Sequence, residues 1–176
     1  MPAAAPGPAS PRPSDDAGES PGKLSLSSLR SAGRSIFRDL RFPVLRQFDS
    51  RDCGPTSLRM ICAYYGRPRS REDLERLCGL SNLGSSFASL VGAAQRVGFR
   101  TLPVRVGFDR LEQDVHLPCI IHWAGNHIVV LKKVTANRVW VADPARGNVT
   151  YSKQAFLDGW LPPGSEEGVV LLLSPM

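Results

Sequence analysis

The stretch FDSRDCGPTSLRMICAYYG, residues 48–66, decides how this chain folds. Leu58, Ile61, Cys62 and Tyr65 stand at i, i+3, i+4 and i+7, one apolar face of an α-helix, and Gly66 is a ready stop. Pro55 suits the first turn, where its missing N–H would have no partner, and this places Cys53 or Gly54 at the cap. A thiol is thereby expected at the positive end of a helix, a setting that favours thiolates, above all beside an imidazolium. Gly54 would leave the approach to that thiol clear of a side chain. The same fragment also allows a second reading, in which Cys53 is a small buried residue with no chemistry.

Upstream of this stretch the composition changes. Residues 1–22 are rich in Pro, Ala, Gly and Ser and lack aromatic and β-branched residues, so a disordered tail is expected. Leu26, Leu29, Ile36, Phe37 and Leu40 recur at helical spacing with Arg30, Arg34 and Arg38 on another face, predicting a short amphipathic lead-in helix within 23–41. The folded domain is expected over 42–176.

Downstream, Ser70 can cap a second helix over 70–77, with Asp73 three residues later, and a third runs from Ser86 to Val97 and ends at Gly98. The period then changes from 3.6 to 2. Val104 to Val106, Cys119 to Trp123, His127 to Val134, Val139 to Ala142 and Val169 to Leu173 are short β-prone runs, separated by turns such as Gly125-Asn126 and Ala136-Asn137. Helices first and strands later predict an α+β domain, its N-terminal helical half packed on a C-terminal antiparallel sheet.

Charge and cysteine spacing exclude several functions. The net charge of +6 comes from 22 basic and 16 acidic residues scattered along the chain, with no run of five like charges to form a nucleic-acid arm. Cys53, Cys62, Cys78 and Cys119 form no Cys-x-x-Cys pair, so no metal site is expected. The N-terminus lacks a secretory signal and the thiols suggest a reducing compartment, so a cytoplasmic location is expected. The apolar run Val169 to Leu173 is far shorter than the roughly 18 residues that would span a bilayer.

A nucleophilic thiol needs a base, and the base needs an orienter. Of the three histidines, His116 lies in a loop-like stretch and His122 inside an apolar run, whereas His127 opens a strand directly after a turn. Asp143, in VADPARG, ends the next strand. Two antiparallel strands joined by a tight turn at Thr135 to Arg138 would bring His127 and Asp143 to one edge. Gln47, six residues before Cys53, can offer a side-chain N–H beside the Cys53 amide for an oxyanion. A core histidine and a plain Asp-Pro turn are the bland alternatives for these residues.

Taken together, QFDSRDCGPTSLRMICAYYG, then HWAGNHIVVL, then VADPARG resemble the cysteine peptidase domain of bacteriocin-processing ABC transporters, the papain-like double-glycine leader peptidases. The resemblance runs from about Phe42 to Leu173. It implies Cys53 as nucleophile, His127 as general base, Asp143 as orienting acid and Gln47 in the oxyanion hole, with His122 and Trp123 as wall, and it implies no cofactor and no metal. It also implies cleavage of a precursor peptide after Gly-Gly or Gly-Ala, a helical leader docked in an apolar groove, and the membrane and ATPase domains of a transporter as partners. The implied site of action is the cytoplasmic face of the bacterial inner membrane. The pattern departs from the family at Thr56-Ser57, where many relatives carry an alanine and a second cysteine, and in the longer segment 161–168. A non-catalytic leader-binding domain and another papain-like thiol acyltransferase are the alternative functions.

Overall fold

Three amphipathic segments open the fold. The computed structural model describes residues 42–176; the tail expected over 1–22 and the lead-in helix expected over 23–41 lie outside them. Helix α1 spans Cys53–Tyr64 and buries Leu58, Ile61 and Cys62, the stripe read from the sequence. Helix α2 (Arg71–Leu77) is capped by Ser70, whose side chain accepts the Asp73 N–H, and α3 (Phe87–Arg96) by Ser86, which accepts the Ser89 N–H. Each cap satisfies a backbone donor that the first helical turn cannot.

Six strands follow: β1 (Phe99–Val106), β2 (Cys119–Trp123), β3 (His127–Val134), β4 (Arg138–Asp143), β5 (Gly147–Ser152) and β6 (Gly168–Pro175). Helix α4 (Phe108–Gln113) lies between β1 and β2, and α5 (Lys153–Trp160) between β5 and β6. The strands form one sheet in the order β1-β6-β2-β3-β4-β5, and every neighbouring pair is antiparallel.

Successive residues along the central strands go to opposite faces, and both faces are covered. Ile120, Val130, Ala142 and Leu171 pack with α1 and α3, while Ile121, Val129, Val141 and Leu172 pack with Phe108, Leu111, Phe156 and Trp160 of α4 and α5. A strand buried on both sides reads as a continuous apolar run, which is why Val169 to Leu173 shows no alternation. The helical half does pack on an antiparallel sheet, as expected. The second helical layer is an addition that the sequence reading did not contain.

Strand β1 is longer than the expected Val104 to Val106. Pro103 interrupts the apolar pattern, but β1 is an edge strand paired only with β6, and a proline without an N–H is tolerated at an edge. Strand β5 and helix α5 were also unexpected. The strand is half-exposed at the other edge, and the helix is short, with Ser152 as its cap.

The two glycines Gly168 and Gly92 differ sharply in their surroundings. A Cβ at Gly168 would lie 2.2 Å from Trp160 Cε2, whereas at Gly92, inside α3, it would meet nothing within 4 Å. Gly168→Ala is therefore expected to destabilise the fold by about 1–3 kcal/mol through overpacking. Gly92→Ala should stabilise it by about 0.5–1 kcal/mol, the gain of replacing glycine within a helix. Urea midpoints of the two variants moving in opposite directions would bear out the packing; equal midpoints would contradict it.

Candidate active site

The amino end of α1 sets the site. The helix begins at Cys53 itself with Asp52 in the capping position, one residue earlier than the Cys53 or Gly54 cap expected from Pro55. The reason is that the Asp52 carbonyl already accepts the Thr56 N–H at 2.9 Å, so Pro55 is the third helical residue and still sits where no N–H is needed. Cys53 is 6% exposed. The Asp52 side chain does not cap this helix end, so the positive end of the dipole is not neutralised by that cap.

Gly54 plays a different part from the one expected. A Cβ there would lie 2.8 Å from Ser85 Oγ and 3.4 Å from Ile128 Cδ1. The missing side chain lets α1 approach the α2–α3 loop and β3, and the space it frees is filled by the protein itself. One turn further, Ser57 Oγ donates to the Ile128 carbonyl at 3.1 Å, and both residues are buried. This bond ties the helix that carries Cys53 to the strand that begins with His127. The sequence marked Ser57 only as a departure from the family pattern, with no hint of this tie to β3.

His127 opens β3 opposite Trp123, and Asp143 ends β4. The hairpin between them closes through the Thr135 N–H to Arg138 carbonyl bond of 2.9 Å. His127 Nε2 is 2.8 Å from Asp143 Oδ1, so the two residues meet at one edge as the hairpin argument expected. Asp143 is 3% exposed, and the same oxygen accepts the Ala145 N–H at 2.7 Å, which holds the carboxylate in place. With Nε2 committed to Asp143, the remaining ring nitrogen, Nδ1, is left for Cys53.

Electrostatics at the imidazole run in two directions. Burial is the strongest influence and disfavours the imidazolium; hydrogen bonds with Cys53 and with Asp143, and the charges of both, favour it and prevail, so the His127 pKa is raised. The arrangement suits a thiolate–imidazolium pair. Burial pushes the Cys62 thiol up to about 11 and the Cys78 thiol up to about 12, and it pushes the Cys119 thiol further still.

Gln47 lies between these parts. Its backbone N–H donates to the Pro144 carbonyl at 2.9 Å, next to Asp143, and its side-chain Nε2 donates to the Asp49 carbonyl at 2.7 Å. An amide nitrogen has two hydrogens, so one remains for another acceptor. The other histidines have different surroundings. His116 is exposed, His122 meets Phe87 edge to face at 6.2 Å, and Trp123 packs against Tyr151 and Phe156. Among the described residues, no group of three or more His, Cys, Asp or Glu is placed to hold a metal ion.

Residues 41–175 match the family described as the peptidase C39 family. The chain belongs to that family. The colicin V secretion/processing ATP-binding protein CvaB of Escherichia coli is 35% identical over 134 residues, covering 72% of this chain and 19% of CvaB. Among solved structures, a double glycine motif protease from an AMS/PCAT transporter, in complex with its leader peptide, is 32% identical with a TM-score of 0.71. That likeness covers 77% of this chain and 93% of the protease. The peptidase domain of Streptococcus ComA, a bi-functional ABC transporter involved in a quorum sensing pathway, is 26% identical with a TM-score of 0.69. It covers 77% of this chain and all of that domain. The chain thus has the C39 papain-like fold, and it spans about a fifth of the length of the curated relatives it matches first.

All four thiols are buried, and the raised pKa of Cys62, Cys78 and Cys119 has a direct readout. Brief treatment of the native protein with iodoacetamide near pH 7.5 should label Cys53, while Cys62, Cys78 and Cys119 react only after denaturation. Peptide mass spectrometry locates the label, and carbamidomethylation of the other three at a similar rate would contradict the assignment.

Proposed function

We propose that this chain is a cysteine endopeptidase that removes leader peptides from bacteriocin-type or other ribosomally made precursors by cutting after Gly-Gly or Gly-Ala, in concert with export. The observation that carries this reading is the His127 ring held by Asp143 at 2.8 Å, with Cys53 at a helix amino end and both residues raising the His127 pKa, in a chain of the C39 family. The relatives' names add support: CvaB is a secretion/processing protein, and the protease bound to its leader peptide is a double glycine motif enzyme. The partners proposed are a precursor with a helical leader and the membrane and ATPase domains of an ABC transporter. No helix among the described residues is long and apolar enough to cross a membrane, and the proposed place of action is the cytoplasmic side of the bacterial inner membrane.

The chemistry follows from the geometry. The Cys53 thiolate attacks the carbonyl carbon of the second small residue, and the carbonyl π electrons move to oxygen. The remaining Gln47 N–H and the amides at the start of α1 stabilise that oxyanion. As the tetrahedral adduct collapses, the C–N bond breaks and His127 Nδ1 gives its proton to the departing amine, which leaves as the new N-terminus of the mature peptide. Neutral His127 then takes a proton from water, whose oxygen attacks the thioester. Thiolate leaves and re-forms the ion pair, and the leader departs as a carboxylic acid. Asp143 stabilises the imidazolium through Nε2 and keeps Nδ1 turned to sulfur. Glycine on the leader side suits a narrow cleft, because it brings the substrate backbone close with no Cβ to clash.

Incubation with synthetic precursors carrying Gly-Gly or Gly-Ala tests the reading. Mass spectrometry should find a cut directly after the pair, with one water added. Cys53→Ala should keep the fold and lose cleavage to background; undiminished turnover by that variant rules the proposal out. Products joined to an amine or alcohol acceptor instead of water would mark an acyltransferase, and precursor bound but uncut would mark a docking domain.

The raised His127 pKa also gives a signed pH dependence. Rate on the alkaline side is lost as the imidazolium deprotonates, so that limb should lie above the usual histidine value of about 6.5. Asp143→Asn keeps an acceptor but removes a charge that favours the imidazolium. The alkaline limb of kcat/KM should then move to lower pH, and a limb that stays in place or rises would exclude this role for Asp143.

A further inference from the structure

Asp52 occupies the cap position of α1, yet its side chain does not cap the helix. A side-chain oxygen at that position ordinarily accepts an N–H from the second or third helical residue. Here the carboxylate is buried at 1% exposure and turns back on the preceding loop. The Phe48 N–H donates to both of its oxygens at 3.1 Å, the Asp49 N–H donates to Oδ1 at 3.2 Å, and the Thr56 hydroxyl donates to Oδ2 at 3.3 Å. Arg71 Nε stands 3.8 Å from Oδ2.

Two consequences bear on the chemistry. The first-turn amides of α1, Cys53 and Gly54 among them, are not consumed by a cap and stay open to a substrate oxyanion. The grip on the Phe48 and Asp49 amides also fixes the loop whose Asp49 carbonyl receives Gln47 Nε2 at 2.7 Å. Among the described residues, Gln47 Oε1 is buried with no hydrogen-bond partner and only the Asp49 carbonyl orients this amide through a side-chain hydrogen bond. We infer that Asp52 is a positioning residue for acyl transfer: by clasping residues 48 and 49 instead of capping α1, its carboxylate aims the Gln47 amide and leaves the helix-end amides to the oxyanion. The inference rests on the peptidase reading above and adds to it a group that touches neither the substrate nor the sulfur.

The test uses the full chain and a synthetic peptide with Gly-Gly before the cut. Asp52→Ser keeps an oxygen able to cap the helix but is too short to hold the two loop amides. Its kcat should fall about 100-fold with KM within about threefold, as expected when an oxyanion donor is misplaced. Iodoacetamide displacement at Cys53 forms no oxyanion, so its rate should stay within about threefold. Gln47→Ala should cost about 100-fold in the parent protein and less than about threefold in Asp52→Ser, because the second change removes what the first has already lost.

A folded Asp52→Ser with unchanged kcat, a parallel loss of alkylation and cleavage, or a full Gln47→Ala penalty in its background each overturns the inference. If Asp52→Ser does not fold, Asp52→Asn takes its place in the same comparison. If the parent protein does not cut the peptide, the peptidase reading fails by itself, and the Gln47 side-chain amide resonances decide the inference on their own. Their shift in the Asp52 variant to the positions of an exposed glutamine supports it, and unchanged resonances refute it.

Discussion

The site depends on how α1 is seated on the sheet. The helix brings the sulfur, β3 brings the imidazole, and their separation is set one turn away by Ser57 Oγ on the Ile128 carbonyl and by the bare face of Gly54 against Ser85. A buried hydroxyl left without that acceptor would carry a desolvation penalty of about 1–3 kcal/mol, so helix and strand are held at this spacing by more than apolar contact. The apolar stripe of α1 supplies the bulk of the adhesion, through Leu58, Ile61 and Cys62. Adhesion alone would tolerate a small slide of the helix along the sheet, and the hydrogen bond opposes it.

A good part of this was legible in the residues, and the reasons are local. Strands β2 and β3 begin and end where the sequence placed them, because Cys119 to Trp123 and His127 to Val134 are apolar runs bounded by turn residues. The meeting of His127 and Asp143 was legible as well, since it needs only two strands and the turn between them. Strand β1 was read only as Val104 to Val106; it runs through Pro103, whose tolerance depends on an edge position that no local pattern reveals. The half-exposed β5 and the helices α4 and α5 were missed because each is short, and their identity comes from what they cover.

The least legible features are side-chain directions. That Asp52 turns backward to the loop, and that Gln47 is steered by the Asp49 carbonyl, depend on hydrogen bonds within six residues of sequence, yet no residue type dictates them. Aspartate before a helix reads as a cap, and glutamine before it reads as solvent-facing. The role expected for Gly54 went astray similarly: the sequence says that a side chain is absent and not which neighbour takes up the room.

The covering of both sheet faces has a consequence for alignment between strands. Where one face is wet, a slip of one residue would expose apolar side chains and is strongly opposed; where both are dry, that penalty largely vanishes. In β2, Ile120 and Ile121 would exchange sides at little cost, so something other than hydrophobicity must fix the register. Trp123 is suited to it. Its ring lies so close over Gly159 that a Cβ there would be 2.4 Å away, the Ala124 N–H donates to the Gly159 carbonyl at 2.7 Å, and Trp123 is the cross-strand partner of His127. The indole thus works as a detent on the far side of the sheet, so that the alignment of His127 is governed in part by a glycine in a helix that does not touch it.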